Sequence, residues 1–142
     1  MRKLFLTLAA ILLCVAANAA TSYTVTIVYN GTTATVSIPG EVSGYVSCTS
    51  GTSSHVKLVQ TSTSDNNPGE IIYALSGSSD DGEFYFTGDY KATLQLKGLT
   101  LTNPDSTTIH IKDGKRIKIS MDNGTTNTLT DGTKDEESKG CI

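Results

Sequence analysis

Short apolar alternations recur along the chain and are spaced too evenly for chance. Ile71–Leu75, Glu83–Phe86, Thr93–Leu96, Leu99–Thr102, Thr108–Ile111 and Ile117–Met121 each read as a strand, and each is followed by Gly, Asn or Asp. Ile72 and Ala74, Leu94 and Leu96, and Ile117 and Ile119 follow one another at nearly equal intervals. A slightly longer interval, identical in both cases, separates Phe84 from Ile109 and Phe86 from Ile111. Two interleaved series with a period in the low twenties describe stacked coils, each built of two or three short strands and turns. Leu99 and Leu101, with Leu129, supply a third wall. The spacing predicts that Ile72, Ala74, Leu94, Leu96, Ile117 and Ile119 share one apolar interior. An antiparallel β-sandwich also shows short strands at close spacing and is the alternative. Either way the chain is all-β.

Upstream, Tyr23, Val25, Ile27 and Tyr29 alternate with Thr24, Thr26 and Val28. Asn30-Gly31 is a favoured type I′ turn pair, predicting a hairpin in which Tyr29 faces Thr32 and Ile27 faces Ala34. Tyr45–Cys48 and His55–Gln60 read as a second strand pair. Residues 63–70 are rich in turn formers and read as a linker. The expected organisation is a leader at 1–20, an N-terminal β-hairpin module at 21–62, that linker, and β coils over 71–142.

The leader begins with Arg2 and Lys3, continues as an apolar run to Leu13 and ends in small residues at Ala19 and Ala20. That is the pattern of a cleavable signal peptide. It predicts a secreted, periplasmic or cell-surface protein. The apolar run is too short to span a bilayer, and no later segment is long and apolar enough. With 14 acidic against 11 basic residues the chain carries a formal charge of −3, and Arg2 and Lys3 belong to the leader. Without a basic stripe, a nucleic-acid partner is excluded, and an anionic membrane surface is a poor partner. Ala, Leu and Glu are scarce beyond the leader and Thr and Val plentiful, which argues against long helices. Secretion allows a disulfide between Cys48 and Cys141, though both also read as small buried hydrophobes. No C-x-x-C pair or His cluster suggests zinc.

Four segments, in order, resemble a family of secreted bacterial carbohydrate-binding β-helix proteins. They are Tyr73-x-Leu75-Ser76-Gly77 with Asp81-Gly82, then Ala92–Asn103, Ile109–Ile119 and Gly124–Asp131, and Lys139–Ile142 looks like the start of a further coil. The resemblance covers about residues 70–142. It implies a right-handed parallel β-helix similar in shape to pectate lyases. It also implies calcium-assisted, non-catalytic binding of an acidic plant polysaccharide such as polygalacturonate. Family members usually continue for several more coils, so the chain is expected to be C-terminally truncated.

The candidate residues fall on turns. Asp80 and Asp81, Asp113, Asp122 and Asp131 offer oxygens to calcium, which takes six to eight oxygen ligands. Lys115 and Arg116 can meet a uronate carboxylate, arginine through two hydrogen bonds. Tyr85 and Tyr90 offer flat faces to sugar rings. Each also reads as an ordinary turn or packing residue. No nucleophile elbow, phosphate loop or catalytic triad spacing is present, and the acids suggest no preferred glycosidase pair. The expected function is therefore a non-catalytic carbohydrate-binding protein with a polysaccharide partner. A structural or surface-display β protein is the alternative, and a polysaccharide lyase a distant one. The final coil would leave backbone groups unpaired near Asn123–Ile142, which predicts self-association through that end.

Overall fold

A computed structural model describes residues 21–113 and 116–132 of the chain. The leader, Lys115, Cys141 and the segment Lys134–Ile142 lie outside the described residues. The strands are β1 (Ser22–Asn30), β2 (Thr33–Ser37), β3 (Val46–Cys48), β4 (His55–Gln60), β5 (Glu70–Ser79), β6 (Glu83–Gly88), β7 (Ala92–Asn103), β8 (Ile109–Asp113), β9 (Ile117–Met121) and β10 (Thr128–Asp131). One 3-10 turn, Gly40–Val42, is the only helical element among the described residues. The protein is all-β, and no described helix is long and apolar enough to cross a membrane.

Two mixed sheets face each other. The first runs β10-β7-β5-β1-β2, with β9 also paired to β7, and the second runs β3-β4-β6-β8. From β4 to β9 the chain alternates between them, and β9 and β10 both lie in the first sheet. Every pairing it makes there, β4–β6, β5–β7, β6–β8, β7–β9 and β7–β10, is parallel. Among the described strand pairs only β1–β2 and β3–β4 are antiparallel. β1 pairs with β5 along its whole length, from Ser22 opposite Glu70 to Asn30 opposite Ser78, so the hairpin shares a sheet with the later strands. Residues 63–70 carry the chain from the second sheet to the first.

The interior follows from strand alternation, in which every second side chain faces the same way. Val25, Ile27 and Tyr29 of β1, Ile71, Tyr73 and Leu75 of β5, and Ala92, Leu94 and Leu96 of β7 are buried. They meet Val56 and Leu58 of β4, Phe84 and Phe86 of β6 and Ile109 of β8. The Tyr73 ring packs edge-on to Phe86, with centroids 5.1 Å apart. Its hydroxyl donates to Oε1 of buried Gln60 at 2.7 Å, and Gln60 Nε2 donates to Ser62 Oγ at 2.8 Å. The Tyr29 hydroxyl donates across to the Glu83 carbonyl at 2.9 Å. Burial pushes both phenols well above their ordinary range, with the Glu83 carboxylate adding to the effect at Tyr29.

Three sequence expectations are corrected. Ile72 does not join Leu94 in the interior; Tyr73 is the partner of Leu94, and Ile71 of Ala92. A slip of one residue turns every side chain to the other face. Ile117 lies beside Ala92 and Ile119 beside Leu94, where Ile119 is exposed. The runs at Thr93–Leu96 and Leu99–Thr102 are one strand. A register shift lies between Leu75 opposite Leu96 and Gly77 opposite Leu99. The extra residue in β7 changes the parity, so Leu94, Leu96, Leu99 and Leu101 all point inward. The hairpin closes on Gly31-Thr32 rather than Asn30-Gly31, and Tyr29 pairs with Ala34. Gly31 alone carries positive φ, at 64°, as the first central residue of a II′ turn requires. The shift is two steps, so the apolar face is preserved. By contrast, Phe84 lies opposite Ile109 and Leu101 opposite Leu129, as the spacing predicted.

Two predictions test this core. Leu94→Ala should cost about 2–5 kcal/mol, whereas Val28→Thr, on an exposed position of β1, should change stability by about 0.5 kcal/mol or less. Denaturant titration of both variants checks the register. The raised phenols also predict alkaline loss of stability. A folded-state value above the unfolded one means the native state holds the proton longer. The contribution is therefore complete below about pH 10 and declines as pH rises beyond it. Melting curves at rising pH should show that decline, reduced in Tyr73→Phe.

Candidate functional site

The same corner is passed each time the chain leaves the second sheet for the first. The loop from β4 to β5 carries Ser64. The loop from β6 to β7 is Asp89-Tyr90-Lys91, and Arg116 precedes β9. Because Ala92 pairs with Ile117, Lys91 and Arg116 occupy equivalent steps, and the Ala92 amide donates to the Arg116 carbonyl at 3.1 Å. Ser64, Asp89, Tyr90, Lys91 and Arg116 line one open cleft of about 220 Å³. Lys91 Nζ lies 5.4 Å from the centroid of the Tyr90 ring. At an exposed site such a contact contributes about 0.5–1 kcal/mol and holds the ring in place.

The cleft thus combines a flat aromatic face, two cations, a carboxylate and a hydroxyl. A ring with apolar C–H faces can lie on Tyr90. A carboxylate can take paired N–H donors from Arg116, and hydroxyls can bond Asp89 and Ser64. Of the four sequence candidates for sugar contact, Tyr90 and Arg116 are brought together here. Lys115 lies outside the described residues. Tyr85 is elsewhere, on the outward side of the second sheet, where its ring centroid lies 4.8 Å from that of His110. Ser64, Asp89 and Lys91 were missed. Lys91 was findable, since the interval from Lys91 to Arg116 is the same as that from Phe84 to Ile109.

The five aspartates proposed for calcium are spread over different strand ends. Asp80 is exposed in the turn before β6. Asp81 Oδ1 lies 3.0 Å from His55 Nε2, and the Asp81 carbonyl accepts from Ser54 Oγ at 2.7 Å. Asp122 accepts from Gln95 Nε2 at 2.6 Å and lies 3.5 Å from Lys97 Nζ. Asp131 Oδ1 accepts from both the amide and the hydroxyl of Thr108, at 2.8 and 3.0 Å. Its Oδ2 is buried without a hydrogen-bond partner among the described residues. Asp113 ends β8 and is placed by its backbone. Among the described residues no group of three His, Cys, Asp or Glu side chains is positioned to hold a metal. Asp81, Asp122 and Asp131 thus each have partners within the fold.

Comparison with known proteins gives the chemistry a family. A family model described as carbohydrate-binding domain-containing protein matches residues 63–142, which include every residue of the cleft. A carbohydrate-binding domain-containing protein of Acetivibrio thermocellus is 31% identical over 80 residues, covering 50% of this chain and 28% of that protein. The chain therefore matches well under half of that relative's length. No solved structure matches the chain. The family is described by binding, in keeping with a protein that is not an enzyme. On the match over residues 63–142, the chain belongs to the family of carbohydrate-binding domain-containing proteins.

Proposed function

We propose that the protein is a secreted, non-catalytic binder of acidic polysaccharide, with polygalacturonate as the first candidate. The observation that carries this reading is the convergence of Tyr90, Lys91 and Arg116 on one cleft within the family-matched region. A neutral glycan would use the ring face and leave the two cations idle, whereas a uronate uses both. The charged leader start, apolar run and small-residue end of Met1–Ala20 support export.

The fold belongs to the same proposal. The parallel pairings of β4–β6–β8 and of β5–β7–β9, with β7 also beside β10, support a short right-handed parallel β-helix of the pectate-lyase shape. Right-handed crossovers are the strong rule for parallel strands in one sheet. On this reading β8, β9 and β10 form the last rungs described. Ile119 and Met121 are exposed there, and self-association through that end is part of the proposal. Light scattering on the purified protein should show mass rising with concentration; a monomer at every concentration rejects it.

Affinity electrophoresis in gels containing polygalacturonate tests the function. Retardation is expected, weakening as salt rises because the contacts are exposed. Arg116→Ala should weaken binding about tenfold, through loss of charge-assisted hydrogen bonds. Tyr90→Ala should weaken it through loss of the stacking face. Running the gels with calcium and with a chelator decides calcium: loss of retardation with chelator gives the ion a role, and unchanged retardation removes it. A flat response to all glycans rejects the binding reading in favour of a structural protein. Release of ultraviolet-absorbing unsaturated uronates would instead make the protein a lyase.

A further inference from the structure

The outward side of the second sheet carries a second aromatic and charged constellation, away from the cleft. Strand register sets it. Lys57 of β4 lies beside Tyr85 of β6, and Tyr85 beside His110 of β8. Lys57 Nζ lies 5.9 Å from the Tyr85 ring centroid, and the His110 ring lies 4.8 Å on the other side at 49°. Lys112, two positions along β8 from His110, is exposed as His110 is. Two residues toward the strand starts, His55 of β4 lies beside Glu83 of β6. The Glu83 carboxylate faces both histidines, with Oε2 3.6 Å from His55 Nδ1 and Oε1 4.0 Å from His110 Nδ1. Asp81 holds the other nitrogen of His55 at 3.0 Å.

Two lysines and two carboxylates balance here while the histidines are neutral. A neutral imidazole has one N–H to give, whereas an imidazolium has two. Protonated His55 can face Asp81 and Glu83 together, and protonated His110 adds a cation at the edge of the Tyr85 ring. Protonation of either histidine would therefore add positive charge to a surface whose lysines and carboxylates balance, around an aromatic platform. Strands about 4.8 Å apart place Lys57, the ring and His110 across a width comparable to one sugar residue.

We propose that this face is a second uronate subsite whose affinity is raised by acid, with the sugar ring on Tyr85 and its carboxylate between Lys57 and His110. This subsite rests on the acidic-polysaccharide reading but not on the cleft. Histidine is the side chain that changes charge between about pH 5 and pH 8, and the carboxylate of a uronate stays ionised over that interval.

Isothermal titration calorimetry of the full mature chain with an oligogalacturonide, at about pH 5.5 and about pH 7.5, tests the proposal. The wild-type protein should bind about fivefold more tightly at the lower pH, the size expected of an exposed charge pair. His110→Gln should abolish that ratio. His110→Lys should hold the tighter affinity at both values. Tyr85→Ala should lose the ratio as well, and His55→Gln should reduce it. A methyl-esterified oligomer should show no ratio at all. Arg116→Gln separates the two sites: it should weaken binding at both pH values and keep the ratio. If Arg116→Gln has no effect and the ratio persists, the cleft assignment fails and the subsite stands. An equal affinity at both pH values in the wild type, or a ratio that survives His110→Gln or Tyr85→Ala, overturns the subsite. Absence of binding by any uronate at either pH overturns both.

Discussion

Parallel backbone pairing between successive passes of the chain is the constraint on which the rest depends. Once Ser22–Asn30 lies along Glu70–Ser78, and Ile71–Leu75 lies beside the start of β7, the inward residues of three strands stand in line. Val25, Tyr73 and Leu94 form one such line, and Ile27, Leu75 and Leu96 another. A side chain faces inward here only in step with its neighbours along the row. That is why a single bulge in β7 reorganises a wall of the core. The close approach of β5 to β1 has the same origin: a side chain at Gly77 would run into the Tyr29 carbonyl, and Gly77 also takes φ 85°. Glycine is the residue that allows both.

The cleft is a consequence of that pairing at a corner. Tyr90 and Arg116 are separated by more than a whole pass of the chain, and no local structure would bring them together. Ala92 beside Ile117 does so, because the residues before paired strand starts must also be neighbours. The outward face of the second sheet follows the same rule in a flatter form. There the register places Lys57, Tyr85 and His110 side by side across three strands. Both surfaces present chemistry from different passes of the chain on a backbone whose inner side is held by Phe84, Phe86 and Tyr73. The protein can therefore vary its exposed residues without disturbing its core.

Much of the architecture was legible in the residues. The starts of most strands, the pairing of Phe84 with Ile109 and the wall of Leu101 and Leu129 were all read from spacing and turn chemistry. The errors cluster where spacing changes by one. The interval from β5 to β7 lengthens by a single residue at the bulge, between Ile71 beside Ala92 and Gly77 beside Leu99. An apolar residue stands at both Ile71 and Ile72, so pattern alone permits either face. Asn30-Gly31 favours one turn locally, but the hairpin closes one residue later. Gly31 then bears the left-handed conformation alone, and Tyr29, Ile27 and Val25 keep their inward direction.

The sequence by itself determined that the chain is all-β, where its strands lie and which turns separate them. Those properties are local: period-two alternation and Gly, Asn or Asp at breaks act over a few residues. Only the tertiary structure decided which residues share a row, because register depends on contacts between strands a full pass apart in sequence and on one unpaired residue in β7. It therefore also decided which polar side chains meet. Aspartates that look alike in sequence became acceptors for His55, Gln95 and Thr108. Lys91, unremarkable in its own loop, came to stand beside Arg116. A site assembled from successive passes exists only after the passes have been aligned, and burial of the inner side chains is what aligns them.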